Sequence, residues 1–95
     1  MFDQDADEAF IRAENGAVEA HEEIGTMYFK GLGVTRDYAI ARWHFLQSLS
    51  PMGSAYPLGI MYLRGLGIGR DTGSSRLWLE VAARAGHPIA AKKIA

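Results

Sequence analysis

The 95-residue sequence predicts an all-α fold, a short solenoid of antiparallel helix pairs with about six helices in all. Three observations predict it. Shifting the chain by 34 positions lays Ile24–Arg42 over Leu58–Arg76 with nine identities in nineteen positions, where chance gives about one. Apolar residues recur at helical spacing before each shared turn. Each turn then uses the same residues, Gly31-Leu32-Gly33 and Gly65-Leu66-Gly67, followed by Asp37 and Asp71. A period of this length marks stacked helical hairpins, because a single hairpin cannot bury its apolar face alone.

The elements follow in chain order within one domain, residues 1–95. Residues 1–15 read as the closing half of a preceding unit, with a helix over Asp5–Ala13. The first whole unit, residues 16–50, opens with a helix whose Ala20, Ile24, Met27 and Tyr28 share one stripe. Gly25 in mid-helix costs about 1 kcal/mol against alanine, which a close helix approach would offset. Gly31 ends the helix, since glycine takes the left-handed conformation that stops one. Asp37 is the expected N-cap of a second helix, from Tyr38 to about Leu49. That helix is expected to turn Ile40, Trp43 and either Leu46 or Phe45 toward the first. Ser50-Pro51-Met52-Gly53 reads as the turn between units.

The second unit, residues 51–85, repeats the plan. Ser54 is its expected N-cap, Pro57 lies in the first helical turn, and the helix runs to Arg64. Asp71 caps the next helix, which reaches about Arg84. Gly86-His87-Pro88-Ile89-Ala90 resembles Gly16-Ala17-Val18-Glu19-Ala20, so residues 86–95 read as the start of a third unit or a capping helix.

Composition narrows the function classes. At 48% hydrophobic and 22% charged, the chain is globular rather than disordered. It has no cysteine, which excludes disulfides, thiolate metal sites and a cysteine nucleophile. The acidic Met1-Phe2-Asp3-Gln4-Asp5 lacks the basic, apolar pattern of a signal peptide, so a cytoplasmic location is expected. No apolar stretch approaches the ~18 residues that a membrane span needs. The net charge of −1 conceals an asymmetry: residues 1–23 carry −7 and residues 24–95 carry +6.

The pattern Ala20-Ile24-Gly25-Tyr28-Gly31-Gly33-Val34-Asp37 returns as Leu58-Gly59-Tyr62-Gly65-Gly67-Ile68-Asp71-Trp78-Ala82-Ala83-Gly86. It resembles the Sel-like repeat family, relatives of the tetratricopeptide repeat. The resemblance implies a right-handed α-α superhelix whose first helices line a concave face, and roles in scaffolding and regulation by contact. Three departures stand out. Trp43 sits one position early relative to Trp78, Ser48-Leu49-Ser50 replaces the Ala-Ala pair, and Glu22 stands where Tyr56 supplies the family's aromatic. Without cysteine, the chain is not of the family's disulfide-stapled type.

No constellation for chemistry emerges. Gly65-Leu66-Gly67-Ile68-Gly69-Arg70 looks like a phosphate loop, yet no strand precedes it and the equivalent Gly31 turn explains it as helix termination. His21, His44 and His87 are too far apart in sequence for a local metal motif, and solvated histidines are expected. Asp3, Asp5, Asp7 and Glu8 lack the glycine and spacing of a calcium loop. The arginines Arg36, Arg42, Arg64, Arg70, Arg76 and Arg84 recur with the repeat, but Asp37 and Asp71 interrupt them and the pI near 6.3 is not that of a nucleic-acid binder. No catalytic residue, cofactor, metal, nucleic acid or membrane partner is therefore expected.

The expected function is a non-enzymatic protein-protein interaction module. Its expected contact stripe on the first helices is Glu23, Thr26, Met27, Lys30 and, in register, Pro57, Ile60, Met61 and Arg64, suited to a partner peptide or helix. Core packing is the competing role for the two methionines. The alternatives are self-association through end residues such as Phe10, Ile89 and Ile94, and an inhibitor or immunity-type protein that blocks an enzyme through its acidic Asp3–Glu8 segment.

Overall fold

The computed structural model describes residues 18–48 and 50–94, and all regular structure among them is helical. Five helices appear: α1 Val18–Lys30, α2 Tyr38–Gln47, α3 Pro51–Arg64, α4 Thr72–Arg84 and the short α5 Ala90–Ile94. The expected half unit at residues 1–15 and the acidic Asp3–Glu8 segment lie outside the described residues. The chain divides into two compact units, residues 1–49 and 50–95. In the first, α1 packs on α2; in the second, α3 packs on α4 and α4 on α5.

The first unit is closed by its turn. Gly31 and Gly33 take φ of 71° and 76°, and the amide of Leu32 donates to the Met27 carbonyl at 2.8 Å. This bond satisfies a carbonyl that the helix end leaves open. The Asp37 amide returns to the Tyr28 carbonyl at 3.0 Å, and Asp37 Oδ1 accepts from the Ile40 amide, capping α2. Ile24 and Met27 form the buried stripe of α1 with Tyr28 and Val34 against them. A Cβ on Gly25 would lie 2.7 Å from the Phe45 ring, so the close approach expected of that glycine is with Phe45.

The inward face of α2 differs from expectation. Ala41 and Phe45 are buried, whereas Ile40, Trp43 and Leu46 are exposed. Of the two alternatives left open, Phe45 points inward. One turn of helix separates Ala41 from Phe45, and the ring that fills the space over Gly25 fixes which stripe faces α1. The helix also stops at Gln47, where the Ser48 amide donates to the His44 and Phe45 carbonyls.

The second unit repeats the frame, with one correction at its start. Its N-cap is Ser50 rather than Ser54: Ser50 Oγ accepts from the Gly53 amide, and Pro51 occupies the first helical turn. Proline is favoured there because its missing N–H would have had no partner and its φ suits a helix. The residues expected as an inter-unit turn are thus a cap and the first turn of α3. Pro57 consequently lies inside the helix, where its ring leaves the Gly53 carbonyl without the usual donor. Beyond it, Leu66 donates to Met61 at 2.9 Å and Asp71 to Tyr62 at 2.9 Å, each one period after its counterpart. Ala55, Ile60, Leu79, Ala82 and Ala90 form the core, with Trp78, Leu63 and Ile94 packed against it.

Candidate functional site

The hairpin of the first unit brings together two histidines that are 23 residues apart. His21 on α1 and His44 on α2 approach with Nδ1 to Nδ1 at 3.0 Å, ring centroids 5.2 Å apart. One ring must donate and the other accept, since a neutral imidazole carries one donor and one acceptor nitrogen. Trp43 stands edge-on to both rings, at 5.8 Å from His21 and 5.0 Å from His44. The Tyr28 ring lies parallel to His44 at 6.3 Å. Burial, and then the positive charge on His21, hold His44 below the ordinary imidazole value. The expectation of solvated histidines is corrected here, because sequence distance says nothing about neighbours across a hairpin. Among the described residues, no group of three or more His, Cys, Asp or Glu side chains converges.

His87 is also not simply solvated. Its Nδ1 accepts from the amides of Ile89 at 3.2 Å and Ala90 at 3.3 Å, so the side chain caps α5. Tyr56 stacks on it at 4.1 Å between centroids, 13° from parallel. Tyr56 thereby anchors the loop leading into α5, a role that Glu22 at the same repeat position cannot supply.

The expected contact stripe on the first helices splits by burial. Met27, Ile60 and Met61 are buried, Met61 completely, and belong to the interior rather than to a partner surface. Glu23, Lys30 and Arg64 are exposed, while Thr26 and Pro57 are half-buried. Thr26 Oγ1 donates to the Glu22 carbonyl at 3.0 Å. Lys30 and Arg64 sit in the last turns of α1 and α3, where a cation also complements the helix dipole. Of the residues expected to drive self-association, Ile94 is half-buried against the second core and Ile89 is exposed, while Phe10 lies outside the described residues.

The apolar surface left outside the cores lies mainly on the second helix of each unit. On α2 it comprises Ile40, Trp43 and Leu46, and on α4 Leu77 and Val81. Leu77 is 66% exposed and Trp43 55%. Ser74, Leu77, Trp78 and Val81 line an open, mostly apolar cleft of about 280 Å³. That falls below the roughly 300–1,000 Å³ of small-molecule sites and suits an apolar side chain or two. The opposite face of α4, Ser75, Leu79 and Ala82, is the one that packs on α3. Sequence reading missed this surface because it assigned no face of α4, inward or outward.

Comparison with known proteins agrees with this architecture. The Sel1 repeat model matches residues 18–50 and 54–87. No curated protein matches the sequence significantly. Among solved structures, the chain is similar to a protective antigen present in uropathogenic Escherichia coli strains and displaying an SLR fold, with a TM-score of 0.90 and 30% identity over 99% of this chain. It is also similar to a Sel1 repeat protein from Oxalobacter formigenes, with a TM-score of 0.74 and 30% identity over 81% of this chain. The chain spans 21% and 32% of the lengths of those two proteins.

Proposed function

The chain belongs to the Sel1 repeat family, whose helical repeats are generally protein-interaction modules, and on that premise we propose that it binds another protein and has no catalytic role of its own. The single observation that supports this most is the apolar surface on α4. A helix that has already buried Ser75, Leu79 and Ala82 still presents Leu77, Val81 and the edge of Trp78 around a cleft. Such a surface fits a partner helix or extended peptide that inserts one or two apolar anchors. The exposed charges Glu23, Lys30 and Arg64 of the first helices would then govern orientation and encounter rather than supply the main contact energy.

Affinity capture followed by titration of the identified partner tests the reading. The variant Leu77→Asp/Val81→Asp is expected to weaken binding by about 10-fold or more, since losing an energetically important interface residue costs more than about 1 kcal/mol. Replacing Glu23, Lys30 and Arg64 together by alanine should change affinity less and its salt dependence more. Unchanged binding by the α4 variant, with helicity retained, would refute the assignment.

A further inference from the structure

We propose that the His21–His44 pair is an acid-sensitive clasp of the first hairpin, closed while the two rings share one proton across the 3.0 Å Nδ1–Nδ1 bond and opened when both carry one. The repeat frame shows what the pair replaces. Adding the 34-residue period to His21 and His44 gives Ala55 and Trp78. In the second unit Ala55 is buried and Trp78 packs against the same core cluster, a small residue and a large one with nothing to titrate. The first unit fills the equivalent space with two rings of middle size joined by a hydrogen bond. Total volume is roughly kept, so the exchange fits the frame. A titratable contact has thereby entered a position that the repeat otherwise makes apolar.

Burial and the partner ring govern the charge of His44. From α1, the titratable groups facing His44 are the His21 imidazole and the parallel Tyr28 ring; from its own helix, Trp43 stands beside it. Among the described residues no carboxylate contributes to its titration, which burial and His21 alone depress. Once both rings are protonated, neither nitrogen can accept, and two positive charges face each other at hydrogen-bond distance. Because the folded protein holds His44 below 6.5, the stability from the closed pair is complete above that pH. It is lost as pH falls through the folded value. The second unit has no such pair between its first two helices; its His87 accepts at the start of α5, so acid acts there on the α5 cap while it loosens α1 from α2 in the first unit.

Two measurements test the clasp. In the native protein, imidazole NMR between pH 7.5 and 5 should show the two rings titrating as a coupled pair, with one step below 6.5. Amides of α1 and α2 should shift with it, while in the second unit changes should stay near His87, at Tyr56 and the start of α5. Independent titration of both rings near 6.5, without amide changes, overturns the proposal. In the second measurement, His21→Ala/His44→Trp restores the packing of the second unit. Over the same pH range the native protein should lose roughly 2–4 °C more in Tm than this variant. Equal losses overturn the proposal, and if the variant fails to fold, the native titration decides alone.

Discussion

The two units share one frame and fill it differently. In both, a glycine on the first helix admits a large side chain from the second, Phe45 over Gly25 and Leu79 over Gly59. In both, the turn returns two amides to the first helix, Leu32 and Asp37 in one and Leu66 and Asp71 in the other. The fillings then diverge. Phe29 meets Tyr38 at 5.5 Å and Phe45 at 6.1 Å in the first unit, whereas Leu63, Thr72 and Leu79 stand at those repeat positions in the second. Polar detail diverges as well. Ser75 Oγ donates to the Gly59 carbonyl at 2.8 Å, where the first unit has Ala41. Backbone hydrogen bonds and glycine approaches therefore define the repeat, while the side chains between the helices vary in polarity, aromaticity and titration.

The comparison can be broken at the glycines first. Gly59→Ala would bring its Cβ to 2.7 Å from Leu79 Cγ and 3.3 Å from the Leu79 backbone nitrogen. Relief needs movement of α4 itself, so a net loss of about 1–3 kcal/mol is expected after the propensity gain of alanine. The three atoms nearest a Cβ in Gly25→Ala are ring atoms of Phe45, at 2.7–3.2 Å, and the ring can tilt. Its loss should be the smaller of the two in urea denaturation. A larger loss at Gly25 would mean that the aromatic filling, not the helix spacing, sets the closeness of the hairpin.

Two serines sharpen the comparison with smaller effects. Ser75→Ala removes the hydroxyl bonded to Gly59 and should cost about 1 kcal/mol. Ser54, 3% exposed, has a buried hydroxyl without a hydrogen-bond partner. Its repeat counterpart Ala20 is fully buried, so Ser54→Ala should stabilise by roughly 1 kcal/mol or slightly less. Thermal melts of both variants decide the signs, and destabilisation by Ser54→Ala would mean that the hydroxyl is satisfied in solution.

Much of this frame was legible in the sequence, because it is carried by residues with few alternatives. The positive-φ turns at Gly31 and Gly65 and the caps at Asp37 and Asp71 can be read one residue at a time. Where several residues compete for one role, reading failed. Ser50 and Ser54 can each cap a helix, and the favourable placement of Pro51 decided between them. On α2, Ile40, Trp43 and Leu46 have the helical spacing of a core stripe, yet the gap above Gly25 selects Ala41 and Phe45. The candidate surface on α4 escaped reading because Leu77, Trp78 and Val81 have the same helical spacing as a core stripe. The histidine pair had one usable signal, the displacement of Trp43 from the register of Trp78, which leaves His44 at the tryptophan's position.

Hydrogen exchange on the unmodified protein tests most directly whether the two units are built on one frame. The amides of Leu32 and Asp37, at 2.8 and 3.0 Å from their acceptors, should be protected at neutral pH, as should those of Leu66 and Asp71 at 2.9 Å. Protection in matched pairs, one pair per unit, is the predicted result. Protection of Leu66 and Asp71 with free exchange at Leu32 and Asp37 would contradict it.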